Sequence, residues 1–485
     1  MIESIQRTYD KGFDATVGRL RIAKMWDHIK RDLTSNRQHL TKKDAYIAMA
    51  MGLLGAAISV WAFSQTNRVP ELHTTFNLWL HADVARYAEN LVSAGGSHGR
   101  TSVHPLFSIL LYPFGATLTA FGLDPLTAAK TLIVIVMGAN AALFSLVVRL
   151  LGLDRIAVVL FSLVFVTTAT FMFWSAVVES FQFSGFSVLL SLFMMFRVKE
   201  SHWGWWVLLN VLTLGFLITN WVFALVAMAV RLKLKPFIAI GASSFALVVA
   251  LSLVQNATFE RAAIFLNPET LLREQEYFQP TLEAKGDYDE GFKPSSNLRS
   301  IYVTTMVAMP VYVQQERRMR LATTNQNSGF PEGELVPILA VIVWVALFGL
   351  GVWGAVRSKQ LRLPFIGCGA MLAAQTVLHL IYGEVTFLYS MSFMPMVILI
   401  ASAAYFSPYK TLSLALAVVL VVTAGLNNER RFQHTIEVAQ CLAALPTVQK
   451  MQVYELVRDN PPDEDFFDPK FVVDTKDICG TKSPM

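Results

Sequence analysis

Residues 45–65 read AYIAMAMGLLGAAISVWAFSQ, a charge-free and mostly apolar run. As a helix it is long enough to cross the ~30 Å hydrocarbon core of a bilayer. Hydrophobic residues make up 54% of the 485-residue chain and charged ones 15%, a balance that one soluble core cannot accommodate. The chain therefore reads as an all-α polytopic membrane protein. Its net charge of +5 is modest, and its basic residues sit in short clusters beside apolar runs. That distribution reports membrane topology and argues against a nucleic-acid partner.

Working outward from the first span, further apolar runs centre on Leu126 to Leu150, Ile156 to Val177, Phe181 to Phe196, Trp205 to Ile218 and Val222 to Val230. Phe237 to Leu253, Val336 to Val356, Pro364 to Ile381, Phe387 to Tyr405 and Leu412 to Leu426 complete the series. The expected total is about eleven spans, an odd number that puts the termini on opposite sides. Basic residues recur at every second junction: Arg149 with Arg155, Arg197 with Lys199, Arg231 with Lys233 and Lys235, Arg357 with Lys359 and Arg362, and Lys410. Val222 to Val230 is short alone, and a re-entrant pair there would keep the same sidedness.

Residues 1–44 are basic and lack the apolar core of a cleavable signal peptide, so they are expected to stay cytoplasmic. Residues 45–426 form the transmembrane domain, with outward loops at 66–125 and 258–334, and 427–485 form an outward C-terminal segment. Cys441 and Cys479 fall in that segment, either as a disulfide or as two free thiols. A charged stretch from Glu283 to Ser296 precedes an expected amphipathic segment at Ile301 to Val313.

The first outward loop carries His81-Ala-Asp83-Val-Ala-Arg86-Tyr87-Ala-Glu89, then His104-Pro105-Leu106-Phe107. A carboxylate at a membrane edge, with an arginine one helical turn on, suits a general base facing an anionic group, and equally a solvated salt bridge. Glu179, Ser180 and Gln182, preceded by Trp174, join two spans at the same face, as does the turn at Asn220. Each reads either as site-lining or as a helix-capping turn. Tyr382, Glu384 and Tyr389 gather near His379 at another outward junction, where ionisable groups are costly unless they face a cavity. Arg299, Arg317, Arg318 and Arg320 offer permanent positive charge.

This pattern resembles the GT-C superfamily of membrane glycosyltransferases, particularly aminoarabinose transferases and protein O-mannosyltransferases. Their first outward loop carries Asp-Glu-x-Arg-Tyr-Ala-Glu, followed by Lys-Pro-Pro-Leu or a close variant. Asp83, Arg86, Tyr87, Ala88 and Glu89 match the first part, and Pro105 with Leu106 part of the second. Val84 stands where the family has a second acid, and His104 where it has lysine. The resemblance implies an inverting transfer of sugar from a polyprenyl-phosphate donor, with Asp83 as base and Arg86, Tyr87, His104 and one loop arginine near the substrate. The acceptor is an envelope glycan, glycolipid or protein, and the setting a bacterial inner membrane with an extracytoplasmic site. A divalent metal is compatible but not expected, because Val84 removes a carboxylate. A lipid-linked oligosaccharide flippase or transporter, or a polysaccharide polymerase, is the alternative.

Overall fold

The computed structural model describes residues 40–75, 78–268, 272, 294–315, 321–331, 333–358, 362–383, 385–445 and 479. Residues 1–39 and most of the C-terminal segment lie outside the described residues. Thr41 and Asp44 form a reciprocal capping box that starts α1 (Lys42–Thr66). The loop after α1 contributes α2 (Val84–Val92) and α3 (Phe107–Ala120), and α4 (Pro125–Leu150) begins with Asp124 as cap and Pro125 at its first position. Four shorter helices follow α5 (Arg155–Val166): α6 (Ala169–Trp174), α7 (Phe181–Arg197), α8 (Trp203–Phe216) and α9 (Trp221–Arg231). Then come α10 (Leu234–Thr258) and α11 (Pro294–Arg299), and a hairpin of β1 (Tyr312–Gln315) with β2 (Leu321–Thr324), Val313 opposite Thr323. The chain ends with α12 (Leu335–Arg357), α13 (Arg362–Ile381), α14 (Ser390–Ser402) and α15 (Lys410–Ala443).

The protein is a mostly helical, multi-pass membrane protein. Among the described residues, seven helices are long and apolar enough to cross a bilayer: α1, α4, α10, α12, α13, α14 with its flanking turns, and α15. The runs at Ile156 to Val177, Phe181 to Phe196, Trp205 to Ile218 and Val222 to Val230 are also helical but broken. At 12, 17, 14 and 11 residues, α5, α7, α8 and α9 are each roughly 17–26 Å long, less than the hydrocarbon core. The turn between α8 and α9 is held within the protein, where Asn220 donates to Ser184 and Ser187 of α7 and irregular backbone is satisfied away from lipid.

Every residue of α14 is buried, making it the central helix, packed against α5, α6, α7, α12 and α13. At one end of the bundle the basic residues meet acidic helix starts. Asp44 accepts from Arg149 Nε and Arg155 Nε at 3.1 Å each, while Asp154 caps α5 and accepts from Lys410 Nζ at 3.0 Å. Arg231, at the end of α9, is tied to the end of α7 by donating to the Val198 carbonyl.

One expectation is corrected. Ile301 to Val313 is not an amphipathic helix: a single π turn ends at Thr304, and the chain then extends into β1. Ile301, Val307, Ala308, Met309 and Val311 are all buried, so the segment presents no polar stripe to solvent. The helix of the last apolar run, α15, continues unbroken past Leu426 to Ala443. Asn427 and Asn428 lie buried within it, and Asn428 donates to the carbonyls of Thr167 and Met306 at the break between α5 and α6. Cys441 and Cys479 are disulfide-bonded.

The α2–α3 contact fixes where the first-loop side chains sit. A Cβ at Gly115 of α3 would overlap the Leu91 carbonyl of α2, so only glycine permits this approach. Gly115→Val is expected to push α2 off α3 and cost about 1–3 kcal/mol, measured as a lower thermal midpoint of the purified protein in detergent.

Candidate functional site

The chain reaches Asp83 through a strained turn. Leu80 and His81 both take left-handed backbone conformations, φ 50° and 64°, which non-glycine residues adopt only when surroundings hold them there. The Trp79 indole N–H donates to the Phe173 carbonyl at 3.1 Å, and Thr323 of β2 receives the Leu80 N–H at 2.9 Å. Asp83 then starts α2, and its own N–H donates to Glu179 Oε2 at 2.8 Å. One turn along, Arg86 Nη1 pairs with Asp83 Oδ2. The Asp83 side chain is 29% exposed and that of Arg86 11%, whereas Glu179 is 1% exposed, so Asp83 is the carboxylate a substrate could meet.

Glu179 occupies the turn between α6 and α7. Ser180 donates to its Oε1 through both N–H, at 2.7 Å, and hydroxyl, at 3.0 Å. Burial, reinforced by the adjacent Asp83 charge, pushes its pKa up to about 8, against the opposing effect of these hydrogen bonds. Glu179 is thus protonated at neutral pH.

Beneath them Tyr87 packs edge-on against His104 and Phe107, with ring centroids 5.6 and 5.2 Å away. Burial drives the Tyr87 hydroxyl well above the ordinary tyrosine range, with Glu179 adding to the effect, so it stays protonated. His104 Nδ1 donates to the Phe216 carbonyl at 2.6 Å, and burial lowers the imidazole to about 3. His104 is therefore neutral, with an Nε2 lone pair. It supplies no positive charge to the cluster. Arg100 is close enough to influence both His104 and Tyr87, which leaves Arg86 and Arg100 as the cations of the cluster.

The remaining candidates divide into two groups. Gln182 is fully buried and donates to the carbonyls of Trp174 and Val177, at 2.6 and 3.0 Å, holding the turn that carries Glu179. Asn220 donates to Ser184 and Ser187 and fastens the α8–α9 apex to α7. Trp174 is buried, donating to Ser390 Oγ at 2.9 Å, so it offers no open face to a sugar. These three build the platform below the cluster. Tyr389 joins the site from the side: its ring lies 5.0 Å from Phe181, next to Ser180, and 6.5 Å from Tyr382, with His379 at 4.6 Å. Gly383, at φ +91°, makes room for it, since a Cβ there would lie 2.7 Å from the Tyr389 ring.

Arg299 is half-buried and donates through Nη2 to the Gln326 carbonyl at 3.1 Å. Glu384, Arg317, Arg318 and Arg320 lie outside the described residues. Sequence reasoning missed Thr323, Gln326 and Asn297. Gln326 receives the Ser300 hydroxyl and the Thr386 N–H at 3.1 Å each and donates to Asn297, whose amide reaches the His379 carbonyl. The available signal was the uncharged polar run Thr323 to Ser328 in an otherwise apolar chain. Among the described residues no three His, Cys, Asp or Glu side chains form a metal-ligating group.

Because the Glu179 pKa lies above the ordinary 4.5, its contribution to stability is fully present below about 4.5 and is lost as pH rises through about 8. Infrared titration of the wild type should show a protonated-carboxyl band disappearing near that upper value. In Glu179→Gln the band should be absent, and the fall of thermal midpoint with rising pH shallower. No family model, curated protein or solved structure matches the chain.

Proposed function

We propose that this protein is a GT-C-like glycosyltransferase that moves a sugar from a polyprenyl-phosphate donor to an acceptor hydroxyl at the outer face of a bacterial inner membrane. The observation that carries the reading is the exposed Asp83 carboxylate, paired with Arg86 and set on buried, broken-helix turns beside a neutral Glu179. A lipid-linked donor keeps its tail in the bilayer and needs its phosphate met at such a level. Asp83 takes the proton of the acceptor hydroxyl as that oxygen attacks the anomeric carbon, and the polyprenyl phosphate leaves with the bonding electrons. Arg86 and Arg100 are the groups suited to the charge developing on that phosphate. Protonated Glu179 keeps a second negative charge away from it. Tyr382 and Tyr389 would border the sugar or acceptor.

Two observations support the sidedness. The basic helix ends gather around Asp44 and Asp154, opposite the Asp83 cluster, as a cytoplasmic face requires. The Cys441–Cys479 disulfide lies beyond Phe432, whose ring packs on Trp79, and so on the Asp83 side. Disulfides persist in oxidising compartments. The N-terminus is then cytoplasmic and the end of α15 extracytoplasmic.

The test is transfer from radiolabelled undecaprenyl-phosphate sugars to envelope glycan, glycolipid and peptide acceptors, using protein reconstituted in vesicles. Asp83→Asn is expected to lower the rate by about 10²–10⁴-fold, the usual worth of a general base. Undiminished transfer by that variant would sink the assignment. Movement of the lipid-linked sugar across the vesicle without product would instead identify a flippase.

A further inference from the structure

We propose that Thr323 is a positioning residue that aims Asp83, an inference that rests on the function proposed above. Its hydroxyl does two things at once: it accepts the Leu80 N–H at 2.9 Å and donates to the Leu78 carbonyl at 2.8 Å. These bonds bracket Trp79 and end on the amide of Leu80, the first of the two left-handed residues, Leu80 and His81, that precede Asp83. Such backbone is costly and reverts unless it is held. Thr323 is itself fully buried and fixed in register opposite Val313, so it is a rigid anchor.

The same hairpin reaches the other side of the site. Three residues on, Gln326 receives the Thr386 N–H and engages Asn297, which ties the strand to the turn leading into Tyr389. A single short strand thus sets the separation between the Asp83 turn and the Tyr389 turn. Both bonds of the Thr323 hydroxyl go to backbone, so its effect is on aim and not on substrate affinity.

The test compares Thr323→Val, which keeps the shape and loses the hydroxyl, with Thr323→Ser, which keeps the hydroxyl, in the full chain reconstituted in nanodiscs. Hydrogen exchange at the Leu80 amide should accelerate at least tenfold in Thr323→Val and stay at the wild-type rate in Thr323→Ser. The Glu179 carboxyl band, which senses the Asp83 N–H, should titrate at a different pH in Thr323→Val only. With undecaprenyl-phosphate sugars as donors, kcat should fall about 10²-fold with KM unchanged, the usual cost of misplacing a reacting group by about 1 Å. Unaltered Leu80 exchange in Thr323→Val would overturn the proposal, as would unchanged kcat or failure of serine to restore it. If the wild type transfers no sugar, the functional reading fails, and exchange and titration still decide whether Thr323 holds the turn.

Discussion

The bond from the Asp83 amide to the buried Glu179 carboxyl joins the two turns on which the site is built. Both turns are irregular backbone set among apolar helices, and each unpaired carbonyl or N–H there would cost several kcal/mol. The chain meets that constraint with helical hydroxyls and amides aimed at the turns. Ser59 and Thr66 of α1 donate to Ser175 and Ala176, Gln182 to Trp174 and Val177, and Asn428 to Thr167. Polar residues buried within apolar helices are here the supports of broken helices.

Bringing Asp83 and Glu179 together creates an electrostatic conflict, because two adjacent carboxylates resist ionising together. The fold resolves it unequally. Arg86 stands by Asp83, while burial keeps the proton on Glu179, so the more exposed carboxylate is the one with a cation beside it. A proton held on Glu179 also removes a charge that would repel any anion approaching Arg86.

Much of this was legible in the chain. The apolar runs coincide with helices, and the spacing of Asp83, Arg86 and Tyr87 places all three along one side of α2, since residues three and four apart share a helix face. Gln182 and Asn220 were recognised as polar positions at the right level, but an amide facing a cavity and an amide feeding a turn carbonyl look identical in sequence. The hold of Thr323 on Leu80 spans 243 residues and leaves no local periodicity to read.

On the proposed glycosyltransferase reading, His104 stands where lysine is expected, and it changes the chemistry of that position without emptying it. A lysine there would carry its charge at the end of a flexible chain, whereas the imidazole is locked by its Nδ1 donation to Phe216 and left uncharged by burial. Its ring instead packs under Tyr87, stiffening the helix that bears Arg86. Permanent positive charge then rests on guanidinium groups, whose forked donors meet two phosphate oxygens at once and whose charge does not titrate near neutrality. On the proposed chemistry, the lysine's single mobile charge gives way to a fixed arginine clamp. That clamp works only if α2 is held rigidly, and this is what Gly115, His104 and the Thr323-bound turn together accomplish.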